Sequence, residues 1–271
     1  MILIDDTKME AIANIFKKKE YELGLVLSGG GVRGIAHAGI LKFFDESDIK
    51  PNIISGVSAG GIIGALYADG YKPEEIKEIF KQIGFRNFTT IQRPKTGLFS
   101  LKKFESFLKG ILRAKYFEDL KIPLRIVATD FDRGKVKVFK SGKLLEPLIA
   151  SSSVPVLFSP KKIDGTNYVD GGVLKNIPAS VLRDDCEKLI SVNVSPRSPK
   201  QNISSILEIG IRTYFYMHTG NNIYDKEISD LLIEPSALEG IDMLKTDKID
   251  EIFEIGYNEA KEVISNLSKN K

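Results

Sequence analysis

One cysteine, Cys186, in a chain of 271 residues excludes an internal disulfide and a four-cysteine metal site. Histidine is nearly as scarce. His37 and His218 are the whole supply, too few for a histidine-rich zinc site. Charge of one sign is lacking too: 39 Lys and Arg face 36 Asp and Glu, for a formal net charge of +3. That excess is too small to argue for a nucleic-acid partner and leaves room for weak attraction to an anionic membrane surface. No run of about 18 apolar residues occurs, so no bilayer-spanning helix is expected. The start, Met1-Ile2-Leu3-Ile4-Asp5-Asp6, lacks the basic opening and long apolar stretch of a signal peptide, and the expectation is a cytoplasmic protein with at most peripheral membrane contact.

What is present is ordinary for a globular chain with a sizeable core, 42% hydrophobic and 28% charged, and the length suits one α/β domain over 1–271. Apolar residues at helical spacing predict an N-terminal surface helix over about 5–20. Leu23 to Ser28 reads as a buried strand that runs into Gly29-Gly30-Gly31-Val32-Arg33-Gly34, with a helix from about Ile35 to Phe44. Ile53-Ile54-Ser55 repeats the plan with a glycine-rich turn around Ser58 and a helix to about Ala68. Strand, turn and helix in alternation predict a parallel sheet with helices on its faces. Residues 84–103 break the pattern, mixing Arg86, Arg93, Lys95, Lys102 and Lys103 with Phe85, Phe88, Leu98 and Phe99. This composition suits a lid or membrane-facing patch, or a plain surface loop. Further strands are expected at 124–129, 135–139 (antiparallel by its strict alternation), 189–194 and 231–234, and helices at about 203–219 and 248–267. The motif-bearing part ends near 194, and 195–271 is a helix-and-strand extension.

Gly56-Val57-Ser58-Ala59-Gly60 is a G-x-S-x-G sequence in the setting such an elbow requires, a strand before and a helix after. A serine on that turn is exposed above a helix N-terminus, whose dipole favours developing negative charge. Glycine is abundant here, so the pentapeptide alone would be a weak signal. The loop Gly29 to Gly34 can gather several backbone N–H groups into one anion-binding nest. Two uses compete for it: a dinucleotide phosphate, since Gly29-x-Gly31-x-x-Gly34 fits that fingerprint, and the oxyanion of acyl transfer. The acidic residue that the dinucleotide site needs some 20 positions later is missing, with Asp48 too early. The oxyanion hole is the preferred reading, formed by Gly29, Gly30 and Gly31 with Ala59. Arg33 would then place a positive charge near substrate, unless it is a surface residue of the first helical turn.

A nucleophilic serine needs a base. His218 sits in a pattern that reads as helix, and His37 among small residues that suggest packing. Asp170, in Tyr168-Val169-Asp170-Gly171-Gly172, stands where a short strand ends and could serve the serine directly. Its ordinary pKa near 4 makes a weak base, so a working site must bury it. Asp-Gly-Gly is also an ordinary turn.

The glycine loop, the Ser58 elbow and Asp170-Gly171-Gly172, in that order, resemble the patatin-like phospholipase family. Between serine and aspartate, Ala150-Ser151-Ser152-Ser153-Val154-Pro155 resembles a further family block of the form Ala-Ser-x-x-x-Pro. The resemblance covers roughly 23–194. It implies a three-layer α/β/α fold with a mostly parallel central sheet and a lipid acyl hydrolase that cleaves carboxylic esters through an acyl-enzyme. It further implies a Ser58–Asp170 dyad working without histidine, metal or cofactor, an oxyanion hole from the glycine loop, and a lipid or other acyl-ester substrate. Two rivals stand beside it: a dinucleotide-binding oxidoreductase using the same loop, and a catalytically silent lipid-binding relative.

Overall fold

Tyr21–Leu27 forms strand β1, and its burial shows the layering at once: Leu25 and Leu27 enter one apolar cluster and Val26 another, on opposite faces of the sheet. The computed structural model describes residues 18–82, 90–91, 96–196 and 205–269. Most of the helix expected over 5–20 and much of the 84–103 segment lie outside them.

β2 (Ile53–Gly56), β5 (Leu124–Asp130), β9 (Cys186–Val192) and β10 (Leu231–Ile233) join β1 in a parallel array of order β10-β9-β1-β2-β5. β6 (Lys135–Phe139), β7 (Lys161–Ile163) and β8 (Thr166–Asp170) add antiparallel pairings, making eight strands. A separate two-stranded pair, β3 (Thr90–Ile91) and β4 (Phe99–Ser100), stands apart. The mostly parallel sheet with flanking helices is the mixed α/β fold expected.

The larger cluster covers one face with α1 (Ile35–Glu46), α2 (Ser58–Ala68), α3 (Pro73–Gln82), α4 (Lys102–Ile111), α5 (Leu145–Ser151) and α8 (Ile249–Lys269). The opposite face packs under Ile177, Ala179 and Leu182, with Ile228 just beyond α7 (Ile223–Glu227). α1 and α8 touch backbone to backbone. A Cβ on Gly39 would fall 1.9 Å from the Phe253 carbonyl oxygen, and one on Gly256 would fall 2.1 Å from that of Ala36. Only glycine permits that crossing.

One register places the site. β5 is paired along one edge by β2 as far as Gly56 opposite Ile126, and then by β8, with Asp170 opposite Ala128. β6 occupies the other edge. β2 runs parallel to β5 and β8 antiparallel, so their C-terminal ends point at each other across Val127. The residues that follow β2 and end β8 must therefore meet. The carboxyl ends of β1 and β9 lie at the same level, with Leu27 opposite both Gly56 and Val192. Such an edge is where α/β sheets hold ligands.

Candidate active site

Ser58 follows β2 and opens α2 with a left-handed φ of 51°, a conformation that non-glycine residues adopt at a cost of roughly 1–3 kcal/mol. Its neighbours leave no alternative to glycine. A Cβ at Gly60 would sit 2.4 Å from the Leu27 carbonyl oxygen, and one at Gly56 would sit 2.7 Å from the Gly61 backbone. The turn is braced from Ser151, at the end of α5. The Ser58 N–H donates to Ser151 Oγ at 2.8 Å, and that hydroxyl donates to the Val127 carbonyl at 2.6 Å, in the gap between β2 and β8. Two residues on, the Ser153 carbonyl accepts the Asp170 N–H at 2.9 Å. The Ala-Ser-x-x-x-Pro block thus fastens both ends of the expected dyad, a role its sequence did not suggest.

Asp170 is wholly buried. Its Oδ1 accepts the Gly172 N–H at 2.8 Å, capping the short 3₁₀ turn Gly171–Val173. Oδ2 completes no hydrogen bond among the described residues, although the hydroxyls of Ser58 and Tyr214 lie close enough to favour its charged form. Burial dominates and pushes the carboxyl up to about 6, against the stabilising pull of the Gly172 amide and the two hydroxyls. A carboxylate so placed can take a proton near neutral pH.

Ser58, Gly30, Gly31 and Ala59 together line a cavity of about 160 Å³, otherwise walled mainly by apolar side chains that include Ile62, Phe104, Leu157 and Phe158. No described hydrogen bond takes the amides of Gly30, Gly31 or Ala59, so three N–H donors are available beside the serine. Gly29 differs from the expectation. Its amide donates to the Asn176 carbonyl at 3.4 Å, and the residue does not border the cavity. It is a structural glycine, since a Cβ there would fall 2.6 Å from Asn176 Oδ1.

Arg33 is a correction. It does not reach the cavity; its guanidinium is buried and donates from Nε and Nη2 to the Ile241 carbonyl, at 2.8 and 2.6 Å. Burial lowers its pKa, partly opposed by Asp242 and Glu239. Beside it, the Val32 N–H donates to the Met243 carbonyl at 2.9 Å. Arg33 therefore clamps the C-terminal extension over the glycine loop, and Met243 and Leu244 of that extension border the cavity.

His37 is a packed residue, as its small neighbours suggest, with Nε2 2.9 Å from the Ser28 carbonyl. His218 lies in α6 (Ile206–Asn221) and, against a purely structural reading, borders the cavity with Tyr214 and Phe215. Neither ring nitrogen has a partner among the described residues, and burial lowers its pKa to about 3. Of the irregular 84–103 segment, Leu101 is described and lines the cavity, as does Phe104 just beyond it. Among the described residues no group of three His, Cys, Asp or Glu side chains could hold a metal ion.

The profile of the patatin-like phospholipases matches residues 25–183. "Patatin-like phospholipase domain-containing protein 6" of Homo sapiens is 26% identical over 285 residues, covering 91% of this chain and 20% of the relative. "Patatin-like phospholipase domain-containing protein 7" of Rattus norvegicus is 34% identical over 65% of this chain and 14% of its own. "Lysophospholipase NTE1" of Scheffersomyces stipitis is 26% identical over 92% of this chain and 18% of its own. The chain thus spans about a fifth or less of the length of these curated relatives. Among solved structures, VipD from Legionella pneumophila superimposes with a TM-score of 0.56 at 13% identity, over 91% of this chain and 67% of VipD, a likeness of fold alone.

Proposed function

The chain belongs to the patatin-like phospholipase family, and from that premise we propose that it is a lipid acyl hydrolase working through a Ser58–Asp170 dyad. The observation that carries the reading is the buried Asp170 carboxylate, with one oxygen unbonded among the described residues, beside the strained serine where β2 and β8 meet.

Ser58 Oγ attacks the ester carbonyl carbon as Asp170 Oδ2 takes the hydroxyl proton. The amides of Gly30, Gly31 and Ala59 receive the oxyanion. When the intermediate collapses, the ester C–O bond breaks and Asp170 returns its proton to the departing alkoxide. Water then gives a proton to Asp170 and attacks the acyl-enzyme; the proton finally returns to Ser58. Ile62, Phe104, Leu157, Phe158 and Ile249 offer the acyl chain an apolar wall. Phe158 also borders a second, outer groove with Phe131, Val156 and Ile206, and the latter three are exposed. We assign this apolar continuation to peripheral contact with the membrane that holds the substrate.

Labelling by a serine-reactive fluorophosphonate is the test. Wild type labels, Ser58→Ala does not, and Asp170→Asn loses ester turnover by a factor of at least about a hundred. Labelling that survives Ser58→Ala sinks the proposal. Turnover kept in Asp170→Asn and lost in His218→Ala would pass the base to the histidine.

A further inference from the structure

Helix α6 lies beyond residues 25–183, the segment the family profile matches, yet it turns two polar side chains onto the catalytic turn. Tyr214 and His218 are four positions apart and so share one helix face, and their rings meet edge to face at 4.5 Å. Both are buried. Gly172 fixes where they point: a Cβ on it would lie 2.7 Å from Tyr214 Oη and 2.5 Å from His218 Nε2. The two polar tips therefore press on the residue whose amide already occupies Asp170 Oδ1.

Among the described residues this leaves Oδ2 as the oxygen able to accept the serine proton, and the single bond to Oδ1 does not by itself fix the plane of the carboxylate. We propose that Tyr214 is a positioning residue for Asp170, its hydroxyl steering Oδ2 toward Ser58 from a helix outside the family's matched segment. The inference rests on the dyad reading. The chemistry suits the role. Burial raises the phenol pKa well above 10, so Tyr214 remains a donor throughout the working range. Among the described residues, the groups acting on Asp170 are the Gly172 amide and the hydroxyls of Ser58 and Tyr214, with no charged side chain among them. His218 borders the same turn as a neutral imidazole, since burial keeps it uncharged down to about pH 3. Among the described residues, Tyr214 is thus one of two side chains that favour the ionised carboxylate, and the other is the proposed nucleophile itself.

Tyr214→Phe keeps the ring and removes the hydroxyl, so packing is largely preserved. On p-nitrophenyl butyrate the expected result is a roughly tenfold lower kcat with KM unchanged. Because the lost donor stabilised the charged form, the acid limb of kcat/KM moves to higher pH, by about half a unit or more. The pH dependence of fluorophosphonate labelling shifts likewise. A variant whose acid limb superimposes on wild type overturns the inference, whatever its rate, as does a limb that moves in His218→Gln but not in Tyr214→Phe. Should the Phe variant fail to fold, Tyr214→Met, which also removes the hydroxyl while a flexible side chain refills the space, carries the same readout. Asp170→Asn separates the two levels. If it keeps wild-type turnover, the dyad reading falls; if it is inactive while Tyr214→Phe retains the wild-type limb, the positioning role alone falls.

Discussion

Asp170 is kept at a cost in stability that depends on pH. Its folded pKa of about 6 lies above the ordinary value of 3.8, so between those values the native chain binds the proton that the unfolded chain has released. Stability from this residue is complete below pH 3.8 and declines as pH rises through 6. That difference corresponds to roughly 3 kcal/mol. Asp170→Asn should therefore melt at higher temperature than wild type at about pH 7.5, with the gap closing toward about pH 4 in calorimetry; equal melting points at the higher pH would deny the burial penalty. On the proposed dyad, the same titration should set the acid limb of wild-type kcat/KM near pH 6, read from a pH–rate profile with a soluble ester; a limb well away from that value would deny Asp170 the role of base. Ser151→Ala tests the brace. It strips the Ser58 amide and the Val127 carbonyl of their shared partner. We expect a loss of about 1–3 kcal/mol in denaturant unfolding and a fall in fluorophosphonate labelling of roughly tenfold or more. At this scale the sequence was readable where a residue type is dictated by local chemistry. Gly56, Ser58 and Gly60 sit within one turn, and Asp170 ends a strand. Arg33 was misread because its partner, the Ile241 carbonyl, is 208 positions away.

Among elements, the tightest constraint is the crossing of α1 and α8. Gly39→Ala places a methyl on the Phe253 carbonyl and should cost about 2–3 kcal/mol, measurable as a lowered urea midpoint. An unchanged midpoint would mean the helices can separate cheaply. The parallel strands were legible from their apolar runs, and 135–139 was assigned as antiparallel from its alternation alone and found so against β5, but the short β3, β4 and β7 gave no such signal. Pairing was not legible. Nothing local in Thr166–Asp170 says that β8 takes over the edge that β2 vacates. Helix α6 was visible as a helix, but which face it turned inward depends on the sheet beneath it. Tyr214 therefore carried no signal that could be separated from ordinary aromatic packing.

For the whole molecule, the site is a joint product of distant segments. The glycine loop, the elbow, the Asp170 turn, α6 and the 241–249 stretch all contribute to one cavity or its supports. No helix among the described residues is long and apolar enough to cross a membrane. If Phe131, Val156 and Ile206 form the membrane face, Phe131→Ser with Ile206→Ser should reduce co-sedimentation with phospholipid vesicles. It should also depress turnover of a vesicle-borne ester more than that of a soluble short-chain one; equal losses on both would remove the face from the account. The opposed strand ends at Val127 carry one more implication, for biosynthesis. A ribosome delivers the elbow long before β8, and β8 can supply its carboxylate only once it has docked on the edge of β5 that it shares with β2. On the proposed dyad, a truncated or half-folded chain would hold a serine without its base, and newly made protein should hydrolyse no lipid until β8 pairs with β5.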